Sequence, residues 1–129
     1  MTASSESRVA LGRRGEAVAV HFLSERGHQV LGQRLRDRHG EIDIVTRSGK
    51  HLYFVEVKTR RVAAAHDQFG GGFGAITLRK QRRMQRTAEV LIARRRWEQL
   101  VPHFAVLTVE ALADRCRVHF LPDAFDAAT

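Results

Sequence analysis

A single cysteine, Cys116, stands in a chain of 129 residues, so no internal disulfide can staple the fold, and a reducing compartment suits it. No apolar run approaches the ~20 residues needed to cross a bilayer. Residues Met1 to Ser7 are polar and lack the apolar stretch of a secretion signal, so the expectation is a cytoplasmic protein with no membrane role. The seven histidines include no His-Glu-x-x-His pair and no zinc-ligand spacing, which argues against a zinc protease. No Gly-x-Ser-x-Gly occurs, so a nucleophile-elbow hydrolase is not indicated. The glycine-rich run FGGGFGAI (Phe69 to Ile76) is not followed by Gly-Lys-Ser/Thr, so it does not read as a P-loop. Negative charge is also short: 14 acids face 22 lysines and arginines, a net charge of +8.

What is present fits one soluble domain. An apolar content of 43% supports a real core. The excess positive charge, mostly arginine, suits a polyanionic partner, nucleic acid before anionic membrane. Arginine's planar fork matches phosphate oxygens.

Hydropathy patterning gives the order α-β-β-β-α-β-β, an α/β fold with a mixed central sheet flanked by helices. From Arg8 to Arg26, residues Leu11, Gly15, Val18, Phe22 and Leu23 share one helical face, with Gly27 as the stop. Three strands follow: Gln29 to Arg36, Glu41 to Arg47 (Ile42 and Ile44 opposite Asp43 and Val45) and Leu52 to Thr59. The segment from Arg61 to Ala75 reads as a loop, and the run from Phe69 to Ile76 as either a mobile flap beside a substrate or a plain connector. A second helix starts after Thr77 as N-cap and runs to about Trp97, burying Met84, Ala88, Leu91 and Ile92. After Pro102, Phe104 to Val109 reads as a strand buried on both faces. Arg115 to Leu121 alternates, with Cys116, Val118 and Phe120 inward and Arg117 and His119 outward. The domain is expected over residues 8–121, with tails at 1–7 and 122–129.

The strongest chemical signal lies in GEIDIV (Gly40 to Val45) and FVEVKTR (Phe54 to Arg60). Alternation puts Glu56 and Lys58 on one face of their strand. A four-residue loop Ser48 to His51 pairs Arg47 with Leu52 and puts Asp43 directly opposite Glu56; a two-residue Ser48-Gly49 loop puts it opposite Phe54, one diagonal step from Glu56 on the same face. A three-residue loop throws it to the other side. Two carboxylates ~4 Å apart repel by roughly 4 kcal/mol at an effective dielectric of ~20, which calls for a compensating cation. Lys58 supplies one charge, and a divalent Mg²⁺ or Mn²⁺, which prefers hard oxygen ligands, supplies more. Such an ion bridges to phosphodiesters and activates water. Glu-x-Lys alone is a weak motif, common on solvated strands. Glu16, at the border of the first helix's apolar stripe, is a third candidate acid that faces either the sheet or water.

The second helix carries Arg79, Lys80, Arg82, Arg83 and Arg86, then Arg94 to Arg96. Arg79, Arg82, Arg83 and Arg86 form one stripe opposite the buried one. Solvation is the usual fate of such charges, but an unpaired row of one sign favours phosphate contact, through backbone and shape rather than base edges. Lys80 lies toward the packed side, either snorkelling along the core edge or reaching the acids.

Four ordered segments, GRRGEAVAVHFLSERG, GEIDIV, YFVEVKTRR and FGAITLRKQRR, resemble the YraN-like family of small bacterial proteins. That family is assigned to the restriction-endonuclease-like PD-(D/E)xK nucleases and is related to Holliday-junction resolvases. The resemblance covers about Leu11 to Arg83, and the C-terminal strands more loosely. It implies an αβββαβ core, a metal held by Asp43, Glu56 and the Val57 backbone carbonyl, Lys58 as the motif lysine, and Glu16 as the helical acid. Lys80 would neighbour the site, and Arg60 with Arg79, Lys80, Arg82, Arg83 and Arg86 would meet nucleic acid. The chain departs from the family where Arg34-Leu35 replaces an Asn-aromatic pair, and where His103-Phe104-Ala105 replaces an Arg-Phe-Asp run. The expected activity is a Mg²⁺-dependent endonuclease on structured or branched DNA, working as a homodimer like resolvase relatives. The alternatives are a non-catalytic DNA- or RNA-binding module on the same fold, or a component recruited to a larger DNA-processing assembly.

Overall fold

The computed structural model describes residues 6–62 and 76–126. Helix α1 (Arg8–Glu25) precedes strands β1 (Gln29–Asp37), β2 (Gly40–Ser48) and β3 (His51–Arg61); helix α2 (Leu78–Arg95) leads to β4 (Val101–Ala111) and β5 (Cys116–Phe125). The five strands form one sheet in the order β1-β2-β3-β4-β5. Neighbours are antiparallel except β3 and β4, which run parallel. A parallel pair needs a crossover long enough to return the chain, and α2 lies within it. The α-β-β-β-α-β-β order expected from patterning is present, with β5 at the edge of the sheet.

Each helix covers one face. On the α2 side, Met84, Ala88 and Leu91 pack against Ile42, Val45, Leu52, Phe54 and Phe104. The rings of Phe54, Phe104 and Phe125 stack in sequence, with centroids 5.5 and 5.0 Å apart. On the α1 side, Ala19 and Leu23 meet Ile44, Val55, Ala105, Leu107 and Val109. Ala105 is therefore a core residue. Also toward α1, His103 stacks on Tyr53, accepts or donates a 2.8 Å bond with His51, and meets Asp123 at 2.6 Å.

Both helix starts are capped by side chains. The Ser7 hydroxyl accepts the Ala10 N–H at 3.0 Å, and the Thr77 hydroxyl accepts the Lys80 N–H at 3.2 Å, each satisfying one of the free donors of a first turn. The β2–β3 turn pairs Ser48 with His51 as well as Arg47 with Leu52, and Gly49 takes a left-handed φ of 60° that suits glycine. Asp37 fastens the β1–β2 turn. Its Oδ1 accepts the His39 and Gly40 N–H groups and the Thr87 hydroxyl, which ties that turn to α2.

Four expectations need correction. Ile42 and Ile44 do not share a face: Ile42 joins the α2-side core and Ile44 the α1-side core, because the simple pleat does not persist across Asp43. Arg117 does not point outward; its guanidinium donates to the buried Glu110 at 2.9 Å. Strand β5 runs on to Phe125, because Phe125 stacks on Phe104, so residues 122–125 are strand rather than tail. Arg61 belongs to β3; residues 63–75 of the expected loop, including most of the glycine run, lie outside the described residues.

Gly15 is where α1 meets the sheet. A Cβ there would lie 1.8 Å from the Thr59 hydroxyl oxygen. Gly15→Ala is expected to push α1 off β3 and lower the free energy of unfolding by about 1–3 kcal/mol. Adding Thr59→Ala should restore part of the loss, as read from urea unfolding of the single and double variants.

Candidate active site

The site begins where β2 and β3 part. Their ladder runs from Ser48↔His51 to Ile44↔Val55 and goes no further. Beyond it, β2 keeps its pairing with β1 through Ile42, Glu41 and Gly40, while β3 keeps its pairing with β4 through Glu56, Val57 and Lys58. The next residues after the last rung are Asp43 and Glu56, so the two acids stand at the crotch of a fork. The Asp43 side chain takes the place of the missing strand partner: its Oδ2 accepts the Val57 N–H at 2.8 Å. In a strand, a residue's N–H and C=O point to the same edge, so the Val57 carbonyl also faces the fork.

Asp43 and Glu56 line a cleft of about 240 Å³ with Gly40, Glu41, Lys80, Arg83, Met84 and Thr87. Glu56 is buried, with 6% of its surface exposed, and its Oε2 is bound by the Lys80 ammonium. The Thr77 cap fixes the first turn of α2 and hence the backbone of Lys80. Lys58, two residues beyond Glu56 on β3, keeps to the same face and is half-buried. Glu41 is a cleft residue that sequence reasoning passed over. Its carboxylate meets Arg36 at 2.7 Å, and its spacing of two from Asp43 was the available signal.

Burial pushes the Asp43 carboxyl up. Repulsion from Glu56 and a hydrogen bond to it push further, and Glu16 adds to the rise; the Val57 amide pulls the other way, and the balance lies at about 7. Glu16 is thus near enough for its charge to be felt, but its carboxylate is spoken for. Arg34 donates to it at 2.5 Å, in a groove on the α1 side rather than in the cleft. Among the described residues no three His, Cys, Asp or Glu side chains are arranged to hold a metal ion. The oxygen donors that the fork does assemble are the carboxylates of Asp43 and Glu56 and the carbonyl of Val57. That set fits a small hard cation such as Mg²⁺, which keeps several waters and takes only one or two carboxylates from a protein.

The cationic residues divide into two groups. Arg79, Arg82, Arg83 and Arg86 are exposed on α2, and no ion pair joins them to an acid among the described residues. Arg60 is different. Its Nε and Nη2 both donate to Oε2 of Glu110, which is fully buried and also takes Arg117. The three residues are aligned across β3, β4 and β5, since Arg60 pairs with Glu110 and Glu110 with Arg117. Two arginines flanking one buried carboxylate give Arg60 a structural task.

The raised Asp43 value fixes the sign of a pH effect. The folded chain holds a proton between 3.8 and about 7 that the unfolded chain has released. Stability therefore falls as pH rises through that window and levels off above it. Asp43→Asn removes the charge and retains an oxygen for the Val57 N–H. It should stabilise the protein by about 1–3 kcal/mol at pH 8 and by little at pH 5, measured as melting temperatures at the two pH values. Mg²⁺ should narrow the difference at pH 8.

Comparison with known proteins follows the same residues. The family described as "Uncharacterised protein family UPF0102" matches residues 15–118, a span that includes the fork, the cleft and α2. A UPF0102 protein of Syntrophotalea carbinolica is 40% identical over 119 residues, 92% of this chain and 94% of the relative. One from Symbiobacterium thermophilum is 38% identical over 118 residues, 91% of this chain and 97% of its own. Another, from Mycolicibacterium vanbaalenii, is 38% identical over 119 residues, 92% and 91% of the two chains. With matches of that length on each side, the chain belongs to the UPF0102 family.

Proposed function

We propose that this protein is a divalent-cation-dependent endonuclease acting on structured or branched DNA, built on the restriction-endonuclease-like core of the PD-(D/E)xK nucleases. The observation that carries the reading is the meeting of Asp43 and Glu56 at the β2–β3 fork, in a cleft whose opposite wall is the cationic helix α2. A strongly basic protein gains nothing in folding from two adjoining carboxylates; their value lies in what they hold.

In this reading Asp43, Glu56 and the Val57 carbonyl hold Mg²⁺ or Mn²⁺. When bound, the ion supplies positive charge to a scissile phosphate and lowers the pKa of a nearby water. Lys58, on the face of Glu56, orients the attacking water and offsets the charge that develops on the phosphate. Lys80 pairs with Glu56; were a cation to take over that carboxylate, the ammonium would be free for the phosphate backbone. Arg79, Arg82, Arg83 and Arg86 hold the flanking duplex through phosphates, without base readout. The preference for branched DNA rests on the resemblance of the four sequence segments to resolvase-related proteins.

The Lys80–Glu56 ion pair favours one rival, a DNA- or RNA-binding module without turnover, because it neutralises Glu56 with no cation at all. Binding of Mg²⁺ separates the two readings: the endonuclease gains thermal stability on adding Mg²⁺ at pH 8, and the module does not.

Two outcomes are expected. With Mg²⁺ or Mn²⁺ the protein cleaves junction or flap DNA, and Asp43→Asn, Glu56→Gln or Lys58→Ala lowers the rate by about 10²–10⁴-fold; cleavage undiminished in these variants would remove the assigned site. In fluorescence anisotropy, Arg82→Gln and Arg86→Gln each weaken duplex binding and reduce the slope of log affinity against log salt by about 0.9. An unchanged slope would take α2 out of the DNA interface.

A further inference from the structure

The α1 face of the sheet carries a groove of its own. Between α1 and β1 runs a groove of about 420 Å³, lined by Arg13, Glu16, Ala17, Val20, Gln33 and Arg34. Arg34 stands between Gln33 and Leu35, whose partners across the ladder are Ile44 and Ile42, so it lies beside Asp43 on the side away from Glu56. Its backbone is left-handed, with φ of 48°, a conformation unfavourable for a residue with a Cβ and out of keeping with the strand around it. The guanidinium ends on Glu16, 2.5 Å from its Oε1, with 36% of the Arg34 side chain exposed. Arg13, on the turn of α1 before Glu16, is exposed and has no ion-pair partner among the described residues.

A guanidinium has five N–H donors, and one carboxylate oxygen does not exhaust them. Its flat fork matches two phosphate oxygens as well as it matches a carboxylate. The Glu16 side chain is only 15% exposed, but the more exposed guanidinium keeps donors toward water, so a phosphate arriving in the groove can take up the donors that Glu16 leaves free. Arg13 adds a second cation and Gln33 a neutral amide donor on the same groove.

We propose that this groove is a second phosphate-binding subsite, which takes the nucleic-acid backbone on the α1 side of the fork, with Arg34 and Arg13 as its phosphate contacts and Glu16 as the resting partner of Arg34. The inference rests on the function proposed above. It gives the bound strand a path past Asp43 on both sides of the sheet, where α2 alone would hold it on one.

Anisotropy of a fluorescein-labelled single-stranded oligodeoxynucleotide with the full chain, without divalent cation, tests the subsite. Arg34→Asn removes the charge and places at that backbone a residue that tolerates the left-handed region; Arg13→Gln is a second variant that leaves β1 untouched. Each should weaken binding three- to tenfold and reduce the salt slope by about 0.7. Glu16→Gln, which removes the resting partner, should tighten binding, and Arg26→Gln, at the far end of α1, should leave affinity and slope as they are. Wild-type affinity and slope in both groove variants, with Arg82→Gln still weakening binding, would overturn the subsite and leave the α2 interface standing. Binding unchanged by Glu16→Gln would overturn the part given to Glu16. An equal loss on Arg26→Gln would reduce the effect to net charge and overturn the subsite. A wild-type protein with no salt-sensitive binding of the single strand would overturn the subsite, while the endonuclease reading stands or falls with the junction and flap assays.

Discussion

The candidate site depends on two strands ceasing to pair. Up to Ile44 and Val55, β2 and β3 are ordinary neighbours; one residue later, each keeps only its outer partner. Backbone N–H and C=O groups exposed by such a parting must find other company, and the Asp43 carboxylate supplies it to Val57. That single bond from the Val57 amide draws an acid into the gap, next to the acid that β3 brings of its own accord. The carboxylates are then close enough that one of them prefers to keep its proton near neutrality. A protein that is otherwise cationic thus concentrates negative charge at one point, and the cleft and the α1-side groove are both bordered by arginine or lysine.

Much of this geometry was legible beforehand. Side-chain alternation placed Glu56 and Lys58 on a common face, and the spacing around Ser48-Gly49-Lys50 allowed the register that does occur, with Arg47 against Leu52. Thr77 announced the start of α2, and Met84, Ala88 and Leu91 its buried face. Other features had no local signature. The division of Ile42 and Ile44 between two cores arises from the fork itself, which no periodicity reports. Arg34 looks like any strand arginine until its backbone φ and its bond to Glu16 are known. Arg60 resembled a phosphate contact because β3 alone does not reveal Glu110, fifty residues away in sequence, waiting beneath it. Charged residues tell their position only through partners, and partners are a tertiary property.

The two acid-rich places in the sheet illustrate opposite solutions to one problem. Glu110 is fully enclosed but flanked by two guanidinium groups, so its charge is neutralised by permanent neighbours and it serves the fold. Glu56 is bound by the Lys80 ammonium, which is half-exposed on a helix end, while Asp43 beside it keeps its proton up to about 7. Permanent compensation makes a strut; incomplete compensation is what the proposed function turns to use. The contrast explains why burial by itself would not have distinguished them, since Glu56 is nearly as hidden as Glu110.

The parallel pairing of β3 with β4 has a consequence for how the molecule assembles. Strands β1, β2 and β3 are joined by short turns and can collapse as a meander from local contacts, whereas β4 joins only after the chain has travelled through α2, a closure that is slower for its greater sequence separation. Asp43 and Glu56 both lie in the meander, while Lys80 arrives with the crossover. The carboxylates are thus brought together by local contacts, whereas the pairing of Lys80 with Glu56 depends on the docking of α2. The helix that wraps the sheet is, on this account, drawn home partly by the charge of the site it completes.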